Sequence, residues 1–324
     1  MQKVTVVIPN YNGIKYIAAC LDSLYGLKEQ DLFRVLVVDN GSVDGSPDVI
    51  RTRYPQVKLI PLSENTGFCH AVNVGIEKAR TPYVILLNND TVVLPGFVES
   101  LVTAIEKNEK IFSVSSCMLQ WDDHSLVDDA GDRYCVLGWA YARGKGSPAV
   151  EYDKPVKVFA ACGGASIYRK AVFDEIGMFD EQHFAYLEDV DVGYRARIFG
   201  YDNYYSPSAK VLHAGSATSG SRYNEFKTRH ASANSVYLIG KNMPALQLIW
   251  NLPPLLLGFA VKTVFFAWKK MGKMYVSGLI NGLKKSFSKE GKKHKIPFRW
   301  EHLPNYFKIQ GLLYLDTFRL PGKK

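Results

Sequence analysis

Four short runs place carboxylates, amides or imidazole where chemistry could be done. In VILLNNDTVV (84–93) an apolar run passes directly into Asn88, Asn89 and Asp90. A carboxylate at such a strand end could hold magnesium or manganese, hard ions that take oxygen ligands together with the phosphates of a substrate. A plain surface turn fits the same ten residues. His213, in VLHAGS, could complete a sparse ligand set, more comfortably for manganese than for magnesium, although a lone histidine is also an ordinary structural residue. In VVDNGSVDGS, Asp39 could accept from a base imide or a ribose hydroxyl, with Ser42 and Ser46 adding hydrogen bonds; an Asx-type turn around Gly41 and Gly45 is the equal alternative. In FAYLEDVDVGYRAR (184–197), Glu188, Asp191 and Arg195 share one helical face, and the i,i+4 spacing of the last two predicts a surface ion pair. Asp189 projects elsewhere, either capping the helix or acting as general base toward an acceptor hydroxyl, with Glu188 beside it and the Gly163–Gly164 pair lining the acceptor pocket.

These residues need a frame. VTVVIP (4–9), FRVLVVD (33–39), VKLIPL (57–62) and YVILLN (83–88) alternate with helix-period segments from about Ile14 and about Gly67. Strand and helix at this spacing predict an α/β fold with a doubly wound, mostly parallel sheet. In the first helix Ile14, Ile17, Ala18, Leu21, Leu24 and Tyr25 fall on one face. Ligands in such sheets sit beyond the carboxyl ends of the strands, and that is where PNYNG, DNGSVDGS, SENTGF and NND lie. Gly67 and Gly75 flank a small-residue helix start, and Asn65 and Asn73 read as buried amides near which a ligand could approach the backbone. No glycine-rich dinucleotide turn follows the first strand and no P-loop occurs, which weakens nicotinamide and P-loop readings. Residues 116–155 lose periodicity and fill with Asp, Gly and aromatics, as a long functional excursion does. Order returns at VFAACGGASIYR, with a helix from about Lys170 to follow.

With 324 residues and 47% hydrophobic content the chain can bury a sizeable core. Five scattered cysteines with no C-x-x-C pair suggest neither a disulfide framework nor a zinc site, and fit a reducing compartment. The N-terminus passes straight into strand-like sequence without a signal-type h-region, so the cytoplasmic side is the expected address. The net charge of +9 is concentrated: residues 241–324 hold 16 Lys and Arg against 3 Asp and Glu. This places a boundary near 240, between a catalytic domain (nucleotide-binding half 1–115, acceptor half 116–240) and a basic, apolar extension (241–324). PALQLIWNLPPLLLGFAVKTVFFAW (244–268) approaches spanning length but contains Gln247, Asn251, Lys262 and Pro253–Pro254. Backed by lysines and aromatics, the stretch 244–300 reads as a peripheral element at a membrane surface rather than a span. Packing on the catalytic domain, or on a second subunit in a homo-oligomer, is the bland alternative. Nucleic acid is a poor partner, because the lysines are interleaved with long aliphatic runs and no binding motif is present.

In this order, PNYNG, VVDNGSVDGS, ENTGF, LLNND, CGGASIYR and YLEDVDVGYR resemble the inverting family 2 glycosyltransferases of GT-A fold, over residues 3 to about 240. The DDAG…RGKG excursion and the tail look most like the rhamnosyltransferase branch, whose members build O-antigen and other cell-surface polysaccharides. The resemblance implies that Pro9, Tyr11, Asn12, Asp39, Ser42, Asn65, Gly67, Phe68, Asn73 and Asn89 line the nucleotide sugar. It implies Asp90 as last carboxylate of the D-x-D metal motif, His213 as distal metal ligand, and Asp189 as catalytic base. Asn88 departs from the first position of D-x-D, and an amide brings no charge to a metal. The implied partners are a nucleoside-diphosphate sugar donor, with rhamnose from dTDP-rhamnose ahead of UDP-sugars, and a lipid-linked saccharide or glycan acceptor at the inner leaflet. A transferase-like scaffold that binds without turnover is the competing class, and retention of both Asp90 and Asp189 argues against it.

Overall fold

The structure is a computed structural model and describes residues 2–215 and 224–320. The branched apolar runs form β1 (Val4–Asn10), β2 (Phe33–Asn40), β3 (Lys58–Leu62) and β4 (Tyr83–Leu87), connected through α1 (Ile17–Tyr25), α2 (Ser46–Arg53) and α3 (Phe68–Lys78). They are parallel, in the order β3-β2-β1-β4. The chain continues through β5 (Thr91–Val93), α4 (Phe97–Ile105), β6 (Ile111–Gln120), β7 (Val127–Asp129), β8 (Asp132–Tyr134), β9 (Ala140–Ala142), β10 (Val156–Val158), β11 (Ala165–Arg169), α5 (Phe173–Ile176), α6 (Glu188–Ile198) and β12 (Asp202–His213). β11 inserts antiparallel between β4 and β6, β12 runs parallel to β6, and β10 closes that edge. The result is a mixed α/β sheet of GT-A type with both faces covered, which is why its central strands are unbroken apolar runs. Ile17, Leu21, Leu24, Ile50, Phe97 and Leu101 cover one face, and Val72, Ile76, Phe173, Ile176 and Val192 the other. Ile14 does not join the first helix: its backbone N–H donates to Asp44 (2.8 Å) and its side chain is exposed, because the loop that ends β1 is held to the loop that ends β2.

The C-terminal region is helical: α7 (Glu225–Asn242), α8 (Ala245–Trp268), α9 (Gly272–Phe287), α10 (Lys289–Lys293) and α11 (Leu303–Phe318). α7 is fixed to α6 by buried charge. Asp191 accepts from Arg195 Nε (3.0 Å), Lys241 Nζ (2.8 Å) and Asn242 Nδ2 (2.7 Å), and Lys241 also reaches Asp180 (2.7 Å). The remaining guanidinium N–H groups of Arg195 donate to the carbonyls of Ile176, Gly177 and Met178. The Asp191–Arg195 pair is therefore not a surface pair as its spacing suggested: both side chains are buried, and they join α5, α6 and α7. Burial alone would raise the Asp191 carboxyl, but Lys241 and Arg195 hold it well below the usual range.

α8 is continuous despite Pro253 and Pro254. Its polar residues face inward: Gln247 accepts from the Tyr194 hydroxyl (2.9 Å) and donates to Gln310 (3.1 Å), and Asn251 exchanges hydrogen bonds with Gln310. Its apolar residues face out, with Leu246, Ile249, Trp250, Leu256, Leu257, Val264 and Trp268 each 60–75% exposed.

Removing one partner of a buried charge network leaves the others uncompensated, at a cost of about 3–5 kcal/mol. Lys241→Met is thus expected to lower the urea midpoint by that equivalent with an unchanged m-value, while the exposed-pair variant Arg51→Met leaves the midpoint within error.

Candidate active site

The polar strand ends converge through Asn10. At the end of β1 its amide donates to Asp39 (2.8 Å) and Ser46 (2.9 Å), and its oxygen accepts from Asn89 (2.8 Å), so one buried side chain ties β1, β2 and the segment after β4. Gly13 is required here, since a Cβ would come within 2.2 Å of both Asn10 Oδ1 and Asn89 Nδ2. Asp39 also accepts from the Ser42 N–H (3.1 Å), and the Ser42 hydroxyl accepts from the Asn12 N–H (2.9 Å). Pro9 and Tyr11 are half-buried beside this set. Asn65 is exposed rather than buried, with its oxygen accepting from Asn40 and from the Gly67 N–H, both at 3.0 Å. Gly67 has φ +89°, and a Cβ there would strike the Phe184 ring. Asn73 is corrected: it sits away from these strand ends, where its amide donates to the Phe179 carbonyl (2.8 Å) and accepts from the Phe179 N–H (3.1 Å). It fastens α3 to the segment before α6 and has no polar atom left for a nucleotide.

Asp90 and His213 are brought together by the antiparallel pairing of β5 with β12, in which His213 lies opposite Thr91 and the Ala214 N–H donates to the Asp90 carbonyl (3.0 Å). His213 Nε2 stands 3.4 Å from Asp90 Oδ1, and its Nδ1 is 2.7 Å from Asp128 Oδ2. Burial works against a charged ring, yet the hydrogen bonds to Asp128 and Asp90 outweigh it and raise His213 to about 9. A place that favours a proton this strongly favours positive charge in general. A carboxylate and an imidazole nitrogen facing one point, with the other ring nitrogen held by a second carboxylate, fit a divalent cation. Asn88 points its amide toward Gly164 instead.

The second half of the site lies across the glycine pair. The Asn88 N–H donates to the Gly164 carbonyl (2.8 Å), and the Gly163 N–H donates to Asp189 Oδ2 (3.3 Å). A Cβ on Gly163 would meet the Phe68 ring at 3.5 Å and Asp189 at 3.8 Å, so these three groups share one wall. Asp189 also accepts from the Val190 N–H (2.7 Å); burial raises its carboxyl nonetheless. Beside it Asp132 is buried with one carboxyl oxygen unpartnered in the structure, and burial followed by the charges of Asp129 and Asp189 pushes it well above the ordinary range. Burial likewise takes Asp129 to about 7 and Glu188 to about 8. Acids buried this close together resist full ionisation, and Asp189 keeps its oxygens as acceptors for the Gly163 and Val190 N–H groups. Asp128 and Asp132 went unassigned in the sequence; the run DDAGD inside the aperiodic excursion was their only signal.

The segment that delivers Asp189 is strained: Phe184, Tyr186 and Leu187 have φ of 61°, 72° and 68°. Such conformations persist only where the surroundings over-determine them. Here the buried Asn234 amide on α7 donates to the carbonyls of His183 (2.9 Å), Ala185 (2.9 Å) and Tyr186 (2.8 Å), and Lys285 on α9 donates to that of Gln182.

Polar strand ends, an Asp–His pair and, across a glycine pair, a carboxylate in the first turn of a helix thus gather on one GT-A-type sheet. The chain belongs to glycosyl transferase family 2, whose sequence model matches residues 5–177, and the protein is a glycosyltransferase. It is 29% identical over 262 residues (73% of this chain, 84% of the relative) to an N-acetylglucosaminyl-diphospho-decaprenol L-rhamnosyltransferase of Mycobacterium tuberculosis. Two solved structures share the fold at lower identity. GalNAc-T7 with UDP, GalNAc and Mn2+ superposes with a TM-score of 0.60 at 16% identity, over 74% of this chain and about half (48%) of its own length. The mannosyltransferase PcManGT of Pyrobaculum calidifontis, in complex with GDP-Man and Mn2+, gives 0.55 at 17% identity, over 88% and 86% of the two chains.

Two outcomes test this description. Asn234→Ala withdraws the donor shared by three carbonyls and is expected to destabilise the fold by about 1–3 kcal/mol and to depress kcat far more than donor KM. A raised carboxyl contributes stability that is complete below its unfolded value near 3.9 and lost as pH climbs through its folded value. Asp129→Asn, which keeps an acceptor for the Gly131 N–H, should therefore raise the melting temperature more at pH 8 than at pH 5.

Proposed function

We propose that the protein is an inverting transferase that moves a sugar, rhamnose from dTDP-rhamnose, to a hydroxyl of a lipid-linked or polysaccharide acceptor during cell-surface glycan synthesis. The observation that carries the mechanism is the position of Asp189, at the start of α6 and linked through the Gly163–Gly164 pair to the strand end bearing Asp90. Asp189 takes the proton as the acceptor oxygen forms its bond to the anomeric carbon. The bond from that carbon to the diphosphate oxygen breaks, its electron pair leaves with the nucleoside diphosphate, and configuration inverts. Asp90 and His213, oriented by Asp128, would hold a magnesium or manganese ion, which supplies positive charge where the diphosphate leaves. Asn10, Asp39, Ser42 and Asn89 form the rigid floor against which the nucleoside is placed.

Rhamnose as donor sugar, and a diphospho-lipid as acceptor, rest on the likeness to the mycobacterial enzyme. The membrane reading rests on α8, whose hydrogen-bonding groups face the protein and whose leucine, isoleucine and tryptophan side chains face outward. Such an outward face suits a headgroup boundary on the cytoplasmic side, with exposed Lys269, Lys270, Lys273 and Lys284 each contributing on the order of 1 kcal/mol beside anionic lipid. In this reading residues 1–240 form the catalytic domain and 241–324 its membrane-seated support.

The test is nucleoside diphosphate release by the full chain with manganese, across dTDP-rhamnose and a panel of UDP-sugars. Release from dTDP-rhamnose, lowered about 10²–10⁴-fold in Asp189→Asn with donor affinity retained, is the expected result. Turnover only with UDP-GlcNAc, UDP-Gal or UDP-galactofuranose would replace the donor, and no turnover with any donor would favour a non-catalytic scaffold.

A further inference from the structure

The cleft between α7, α8 and α9 takes no part in the chemistry above. It has a volume of about 190 Å³ and is lined by Lys227, Thr228, Ser232, Lys262, Phe266 and Tyr275. Lys262 continues the inward edge of α8, half-buried, with its ammonium 5.4 Å over the Trp139 ring. Among the described residues it forms no salt bridge, and burial lowers its ammonium to about 8 with the Cys135 thiol as the one opposing influence. A desolvated ammonium without an anion is unfavourable, and an anion entering the cleft would relieve it. Lys227 faces the same cleft and is lowered by burial and then by the nearby charge of Lys145. Lys145 in turn pairs with Asp128, the carboxylate that orients His213.

Two further features say what kind of anion fits. The opposite face of the same helix exposes Val261, Val264 and Trp268, so a charged head in the cleft would lie at the edge of the apolar surface. The β8–β9 hairpin spans the gap to the base: Asp132, beside Asp189, opens it, and Trp139, under Lys262, adjoins its other end at Ala140. At about 3.3 Å per residue that hairpin covers on the order of 10 Å, the reach of a phosphate group plus a sugar ring.

We propose that this cleft binds the diphosphate of an isoprenyl diphosphate, the lipid end of the acceptor, with Lys262 as its principal contact and the isoprenoid chain leaving along the apolar face of α8. The proposal rests on the lipid-linked acceptor reading, but its test needs no turnover. Binding of farnesyl diphosphate to the full chain in a neutral detergent with EDTA is followed by tryptophan fluorescence, Trp139 being the reporter. Lys262→Met is expected to weaken binding at least tenfold and Lys262→Arg less than threefold, while donor KM stays unchanged in both. Unchanged affinity in Lys262→Met overturns the proposal. So does inorganic pyrophosphate or farnesol binding as tightly as farnesyl diphosphate, and so does full displacement by phosphatidylglycerol vesicles, which would make the cleft a site for bulk anionic lipid. If Lys262→Met melts more than 5 °C below the parent, Lys227→Met is read by the same criteria. Binding that obeys these expectations in a protein that releases no nucleoside diphosphate would leave the cleft assigned and remove the transferase reading, so the two fail separately.

Discussion

The segment that carries Asp189 depends on one amide. Asn234, on a helix outside the sheet, donates to three carbonyls (His183, Ala185 and Tyr186) of the segment that turns into α6, and three non-glycine residues in that segment have positive φ. A chain free to relax would leave those conformations, each costing on the order of 1–3 kcal/mol. Lys241, about two turns further along α7, neutralises Asp180 before the segment and Asp191 after it. α7 therefore clamps both ends and the middle of the run that carries Glu188 and Asp189. The sheet supplies the polar strand ends, but the C-terminal helices set where Asp189 stands.

The clamp explains how charge is divided. Asp180, His183 and Asp191 bring ligand atoms within 4.8 Å of one another, and the Lys241 ammonium sits against both carboxylates, so the cation there is part of the protein. That keeps Asp191 ionised while Asp189, two residues earlier, is left among the uncompensated acids Asp129, Asp132 and Glu188. Adjacent carboxylates on one helix are pushed in opposite directions, one toward permanent charge and structure, the other toward readiness to accept a proton.

The sequence showed the sheet and its polar strand ends because both follow from local rules: branched residues in runs, then glycine, asparagine and aspartate where the backbone must turn. It also offered His213 as a companion to Asp90, and the pairing of β5 with β12 brings the two together although they are 123 positions apart in the chain. What it hid were properties set by distant partners. The spacing of Asp191 and Arg195 suits a surface pair, and only the packing of α5 and α7 over them makes the pair buried. Asn73 looked like an amide at a ligand site, but a backbone segment 106 residues away takes both its ends. Asp128 and Asp132 lie in an excursion with no period, where nothing local separates a functional acid from a solvated one.

The polar residues of α8 carry the last step. Gln247, Asn251 and Lys262 counted in the sequence against a spanning helix, because they interrupt its apolar run. Their inward orientation supplies the physical reason. Gln247 bonds Tyr194 of α6 and Gln310 of α11, so the helix with the apolar outer face is rigidly joined to the helix that carries Asp189 in its first turn. A perpendicular span would have to break these hydrogen bonds in a medium that offers no replacement, at several kcal/mol for each unsatisfied group, whereas lying flat keeps every one. The apolar face of α8 is therefore held at a fixed distance from Asp189 by protein geometry, whatever surface that face meets.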